Sequence, residues 1–220
     1  ISVRIPGAEH HFLINPYGLM FEEITASNLV KIDLQGHAVE PSPYPVNPAG
    51  FVIHSAIHGA REDAQCVLHT HTRSGCAVAA LQCGLLPVNQ ISMEFYGRVA
   101  YHDYEGLALD LSEQQRLVQD IGDKPVLILR NHGLLTVGET VSQAFLRMYY
   151  LDKACEIQLA AMAAGELVLP AADICEYTER QFNDPGRPLE EGELDDPDAM
   201  QLAWAALVRM LDRIAPDYRD

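Results

Sequence analysis

The chain has 220 residues, 48% of them hydrophobic and 21% charged, and a formal net charge of −16. That composition suits one soluble globular domain with a sizeable core. So negative a surface excludes nucleic acid and anionic membranes as partners, but not an anionic substrate where a metal inverts the local field.

Taken in chain order, "HHFLINPYG" reads as a short strand ending at a Pro-Tyr-Gly turn. "LVKIDLQG" alternates over Leu29–Leu34 and stops at Gly36, a second strand. The prolines of Pro41–Pro48 impose an extended loop. "GFVIHSAIHGAR" has helical spacing, with Phe51, Ser55 and His58 on one face and His54 one turn before His58. "CVLHTH" is β-rich, and "TRSGCAVAALQCG" after it is helical. "GLALDLSEQQRLVQDIG" predicts another helix, and "KPVLILRNHGLLTVG" a buried strand, a tight turn and a second strand. A long helix follows in "ETVSQAFLRMYYLDKACEIQLAAMAAG", closed by Gly165. Glu190–Asp198 is an acidic loop without the spacing of a calcium site. Asp196 is placed to cap a last helix and Pro197 to take its first turn. Met200, Trp204, Leu207, Leu211 and Ile214 make that helix's apolar stripe, a packing face. Without regular βαβ alternation, the order favours an α/β sandwich on a mixed, mostly antiparallel sheet.

No apolar run approaches the ~20 residues of a membrane span, and no secretory signal is visible. The chain opens at Ile1 rather than Met, so an N-terminal segment is expected to be missing. Cys66, Cys76, Cys83, Cys155 and Cys175 are odd in number and form no C-x-x-C pair. They read as reduced, mostly buried thiols of a cytoplasmic protein.

Residues i and i+2 of a strand share a face, so His69 and His71 project together. Two imidazoles so placed chelate one ion, and histidine is a common ligand for zinc, iron and manganese. The third donor must come from elsewhere. His132 is the best candidate, in the turn "RNHGLL" at a strand end. Taken alone, H-x-H also fits two histidines without an ion, and Asn131-His132-Gly133 a plain turn. His10, His11, His37 and His102 lack ligand spacing with the three and read as surface residues.

Together, "CVLHTHTRSGCAVAAL" and "RNHGLLTVGETVSQAF" closely resemble the two signature segments of the class II aldolase/adducin superfamily. "SVRIPG", "HFLINPYG" and "NPAGFVIHSAIHGAREDAQ" are similar to its other blocks, in the family's order, over nearly all of residues 1–165. The C-terminal "AWAALVRMLDRIAPDYRD" resembles the tails of bacterial members. The resemblance implies a three-layer α/β/α sandwich, one domain over residues 1–220 with an acidic loop and helix at about 185–216. It also implies a homotetramer with sites between subunits and one divalent metal on His69, His71 and His132. Zinc is the first expectation, with manganese, iron or cobalt as alternatives. In the aldolase branch the metal acts as a Lewis acid and stabilises the enediolate left by C–C cleavage.

The sequence departs from the sugar-phosphate aldolases at one block. Their Ser-Ser-Glu, which holds phosphate and supplies the acid/base, falls here on Pro48-Ala49-Gly50, and no side chain there carries a proton. "ISVR" is similar to the end of the family's phosphate loop, whose Gly and Asn would precede Ile1. Ser2, Asn15 and Tyr96 are therefore the candidate substrate contacts, and a non-phosphorylated substrate is expected. Glu94, 23 residues after His71, lies near where the dehydratase branch keeps a catalytic glutamate. The plainer alternative is a carboxylate paired with a cation such as Arg98. His54 is the other acid/base candidate, with a packing role more in keeping for His58. Tyr96 and Tyr101 could supply a phenol or simply pack.

Three functions follow. The first is a metal-dependent lyase of the aldehyde-lyase or other carbon–carbon type, acting by aldol cleavage, decarboxylation or dehydration on a small hydroxy-carbonyl substrate. The second is a three-histidine Fe(II) oxidative decarboxylase. The third is an adducin-like scaffold without catalysis, against which the retained histidine triad argues.

Overall fold

The computed structural model describes residues 1–7, 10–184 and 199–220. Its centre is a seven-stranded sheet in the order β3-β2-β1-β4-β7-β6-β5. The strands are β1 (Ser2–Arg4), β2 (Phe12–Ile14), β3 (Val30–Ile32), β4 (Cys66–Thr70), β5 (Val99–His102), β6 (Val126–Leu129) and β7 (Gly133–Gly138). Every neighbouring pair is antiparallel except β5 and β6. The mixed, mostly antiparallel sheet expected from the element order is the one found.

Helices α1 (Pro48–Ala60), α2 (Arg73–Ala79), α3 (Gln90–Met93), α4 (Glu113–Ile121), α5 (Val141–Ala164), α6 (Ala172–Asn183) and α7 (Ala199–Ile214) complete the described fold. Helix α1 starts at Pro48, two residues before the expected "GFVIHSAIHGAR" and at the end of the stretch read as an extended loop. Pro48 takes the first position, and the Asn47 side chain accepts from the Ala49 N–H at 3.1 Å. Helix α5 is capped by Thr140 and ends at Gly165, whose φ of +152° suits glycine.

Strand alternation divides the core in two. Val67 of β4, Leu127 and Leu129 of β6, and Leu135 and Val137 of β7 pack with Ile53 and Ile57 of α1 and Leu117 and Ile121 of α4. Cys66, Leu68, Val126, Ile128 and Leu134 point the other way, onto Val78 of α2, Phe95 after α3, and Met148 and Leu151 of α5. Each such buried aliphatic side chain contributes about 1.5–3 kcal/mol. The result is a three-layer sandwich with an α1/α4 face and an α2/α3/α5 face, α6 lying on α3 and α7 on α5.

Several expectations change. The helix expected over "GLALDLSEQQRLVQDIG" begins only at Glu113, and Leu107, Leu109 and Leu111 before it are exposed. Helix α6 is an element the sequence pattern does not announce. Of the cysteines, Cys66, Cys155 and Cys175 are buried, Cys76 is half-buried and Cys83 is exposed. Trp204 of α7 stacks edge-on against Phe145 of α5, while Met200 and Ile214 at the stripe's ends stay exposed. The acidic loop Glu190–Asp198 and the Asp196–Pro197 cap lie outside the described residues.

Candidate metal centre

His69 is the fourth residue of β4. It lies two residues beyond Val67, so its side chain leaves the sheet on the α1 face. His71 follows one residue after the strand ends. His132 arrives from the adjoining β6–β7 turn, which Asn131 makes by adopting φ +56°, a conformation asparagine tolerates better than most residues. The register Thr70↔Leu134 brings the turn beside the two histidines. The three ring centroids stand 4.6, 4.7 and 4.7 Å apart. One ligand nitrogen from each lies within 4.8 Å of the others.

The donor set fits a divalent metal ion. Nδ1–H of His69 donates to the Leu134 carbonyl at 2.9 Å, which leaves Nε2 as a lone pair. That lone pair lies 2.7 Å from Nε2 of His71, the separation of an N–H···N hydrogen bond, which a shared ion would widen to about 3.3 Å. Burial, then the neighbouring imidazoles, holds His69 down to about 3, and burial holds His132 down to about 4. Neutral imidazoles are the ligand form. His71 is exposed, so the cluster opens to solvent, as a catalytic site with free coordination positions requires.

Gly133 makes this approach sterically feasible. A Cβ there would sit 2.4 Å from the Thr70 carbonyl oxygen and 3.1 Å from the His71 ring. Beyond the ligands, Thr72 and Ser74 at the start of α2 both donate to Asp152 of α5, the Thr72 contact at 2.7 Å. They clamp the chain directly after His71.

His54 lies on the same sheet face, in α1. It is buried, and burial above all pushes its pKa well below the histidine norm. Its Nδ1 lies 2.6 Å from Oγ of Ser2. Ser2 Oγ also lies 2.7 Å from Nε2 of His58, whose Nδ1–H donates to the Ala64 carbonyl at 2.8 Å. Ser2 is thus buried and engaged by two histidines rather than turned toward a substrate. Asn15 accepts from the Ile1 nitrogen at 2.8 Å, beside β1.

Glu94 and Tyr96 are elsewhere. Glu94 ends α3 and lines a cavity of about 400 Å³ with Ile91, Leu146, Arg147, Phe182 and Met200, on the α5 side of the sheet. Its charged neighbours are Arg147 and Arg98, and burial raises its pKa to about 7. Arg98 does not pair with it but bridges to Glu179 at 3.1 Å. Tyr96 and Tyr101 line a smaller cavity of about 180 Å³ on that same side, where the Tyr101 hydroxyl accepts from the Leu85 N–H at 3.0 Å. Within one protomer, the sheet separates these groups from the histidine cluster.

The expectation that His102 lies on the surface is corrected. It is 3% exposed, with Nδ1 2.7 Å from Asp120 and Nε2 3.4 Å from Glu113, both on α4. No local pattern announces these partners, 18 and 11 residues further along.

The mixed sheet between two helical layers is shared with solved structures of the class II aldolase fold. The chain belongs to the class II aldolase/adducin family: the Class II Aldolase and Adducin N-terminal domain matches residues 1–159. An aldolase II superfamily protein from Pseudomonas syringae is 53% identical, with a TM-score of 0.89 over 100% of this chain and 85% of that one. L-fuculose 1-phosphate aldolase from Glaciozyma antarctica PI12 is 31% identical, with a TM-score of 0.82 over 100% of this chain and 82% of that one. Alpha-adducin of Rattus norvegicus is 44% identical over 97% of this chain, which spans 30% of that protein. At the coarse level the family joins metal-dependent lyases and adducins.

Proposed function

We propose that the protein is a divalent-metal-dependent lyase acting on a small, non-phosphorylated hydroxy-carbonyl compound. The observation that carries this reading is the convergence of ligand nitrogens from His69, His71 and His132 within 4.8 Å. A divalent ion held there, zinc before manganese, iron or cobalt, would act as a Lewis acid on the substrate's oxygens and favour an enolate. The Leu134 carbonyl orients His69, burial holds His69 and His132 neutral, and the exposed His71 leaves one side open.

The non-phosphorylated substrate follows from α1. Its first turn is Pro48-Ala49-Gly50, which offers neither hydroxyl nor carboxylate. The acid/base role passes to His54, one helical turn beyond Gly50 and so on the same side of α1. The exposed Tyr104, Leu107, Leu109 and Leu111 form an apolar strip that supports self-association, with a homotetramer as the assembly. No helix among the described residues is long and apolar enough to cross a membrane. The free cysteines support the cytoplasm as location.

The test is metal analysis of the purified protein, followed by hydrogen–deuterium exchange at the carbon next to the carbonyl of hydroxyacetone and dihydroxyacetone. Metal-loaded protein should accelerate exchange, and His132→Ala should not. Absence of exchange with every metal overturns the lyase reading. Oxygen uptake with Fe(II) alone would favour the oxidative decarboxylase. The 44% identity to alpha-adducin supports one further reading, a scaffold. It predicts protein that neither retains metal nor exchanges protons.

A further inference from the structure

The lyase reading leaves open how a buried histidine becomes a directed base. The hydrogen bonds around Ser2 answer this by donor and acceptor bookkeeping. A carbonyl only accepts, so Nδ1 of His58 carries a proton for Ala64. A neutral imidazole has one N–H, so Nε2 of His58 is an acceptor. Burial supports that neutral form by lowering His58 to about 4. The Ser2 hydroxyl therefore donates to His58. Its single proton is then spent, and Ser2 Oγ can only accept from Nδ1 of His54. The proton of His54 must sit on Nδ1, and Nε2 is a bare lone pair. Among the described residues nothing hydrogen-bonds to that Nε2.

The placement gives the lone pair a use. Ser2 is paired with Val67 across β1 and β4, and directly paired residues project to the same face. Val67 and His69 share that face as well. The Ser2–His54 bond thus lies on the same sheet face as the first metal ligand.

We propose that Ser2 and His58 are positioning residues that fix His54 in the Nδ1–H tautomer, so that its Nε2 is a pre-set proton acceptor on the metal face. This rests on the lyase reading for its use, but not for its truth. When His54 takes a proton from substrate, the proton bonds to Nε2 and the electron pair stays on the substrate. The imidazolium keeps its Nδ1–H on Ser2, and no proton moves along the chain. Histidine thereby replaces the carboxylate missing at Gly50, and Ser2 serves the base rather than the substrate.

The experiment is long-range ¹H–¹⁵N spectroscopy of the full chain with ¹⁵N-labelled histidine, without metal or substrate. His54, assigned by loss of its signals in His54→Gln, should show a protonated Nδ1 and a non-protonated Nε2. Ser2→Ala should shift both nitrogens toward the averaged values of an unfixed imidazole, and Ser2→Thr should restore them. His58→Phe, which keeps a ring beside Phe12, should loosen the tautomer as Ser2→Ala does. A protonated Nε2 on His54 in the wild type overturns the proposal, even if the Ser2 and His58 variants fail to fold. So does an unchanged His54 spectrum in a folded Ser2→Ala or His58→Phe. Given hydroxyacetone exchange, Ser2→Ala should slow it at least about tenfold with metal content unchanged, and Ser2→Thr should recover it. That loss stays below the ~10²–10⁴ of a whole general base. If the tautomer is as stated and exchange is absent, the lyase reading fails alone.

Discussion

On the α1 face of the sheet, burial keeps His54, His58 and His69 neutral; on the α5 face, burial acts on Glu94 and raises its pKa to about 7. The physical cause is the same, since a low-dielectric setting disfavours the charged form of either group. The chemical outcome differs. A neutral imidazole offers a lone pair to a metal or a proton, whereas a neutral carboxyl offers a proton to whatever enters its cavity. Carboxylate and metal ligands that align with one family's machinery can thus be split between two faces of a sheet. Which face a residue occupies decides whether it joins the site.

The sharpest way to break this comparison is to remove a ligand. His132→Ala should lower zinc affinity by more than the ~100-fold upper end seen when only a ligand's outer partner is lost. Calorimetric titration of the metal-free protein would measure it. Affinity kept within a few-fold would mean that the histidines do not act as one site.

Next in size is Gly133→Ala. Its Cβ would meet the Thr70 carbonyl oxygen at 2.4 Å, a backbone atom that cannot swing aside. Forcing the turn away should cost about 1–3 kcal/mol in urea denaturation. Zinc affinity should fall as well, because the same turn carries His132. An alanine tolerated in both respects would show that the turn does not need its close approach.

The sequence announced some of this and concealed the rest for physical reasons. His69, His71 and His132 were legible because i,i+2 spacing in a strand and a histidine in an Asn-Gly turn are local patterns. The sheet's character was legible because short strands were joined by turns. The buried partners of His102 were not, since Asp120 and Glu113 reach it only through the packing of α4 on β5. Ser2, His54 and His58 were singled out separately, but their joint network joins residues 52 and 56 positions apart. Glu94 ends a four-residue helix whose place is set by α5 and α6, so spacing from His71 said nothing about its face.

Acid and base should separate the two faces further. His54 and His58 have folded pKa values below the usual 6.5, so the unfolded chain binds more protons. Their contribution to stability is present above pH ~6.5 and is lost as pH falls, for His58 through about 4. Glu94 acts with the opposite sign: its raised pKa means the folded state is penalised as pH climbs from ~4.5 through ~7. Glu94→Gln should therefore raise stability at pH 8 by about 1–2 kcal/mol relative to wild type, and do little at pH 5. Thermal unfolding of both proteins across pH 4–9 checks the two signs together. A gain at pH 5 equal to that at pH 8 would exclude a buried carboxyl that titrates near neutrality.

The smallest expected effect tests the separation most directly. At pH 6 the Glu94 carboxyl is mostly protonated, so glutamine replaces one neutral group with another of the same size. Zinc affinity of Glu94→Gln should then match wild type within about twofold, under 0.5 kcal/mol. At pH 8 the carboxylate can act on the metal only through space. Through the protein such an effect can reach ~1 kcal/mol per pair of unit charges, so the clean comparison is at pH 6, where the affinity ratio should stay close to one. A carboxylate that reached the ion would behave otherwise, because its loss removes a ligand or a hydrogen-bond partner whatever the pH. A tenfold drop at pH 6 would bring Glu94 to the histidines, most simply from a second subunit, and the two faces would have to be reconsidered as one site shared across an interface.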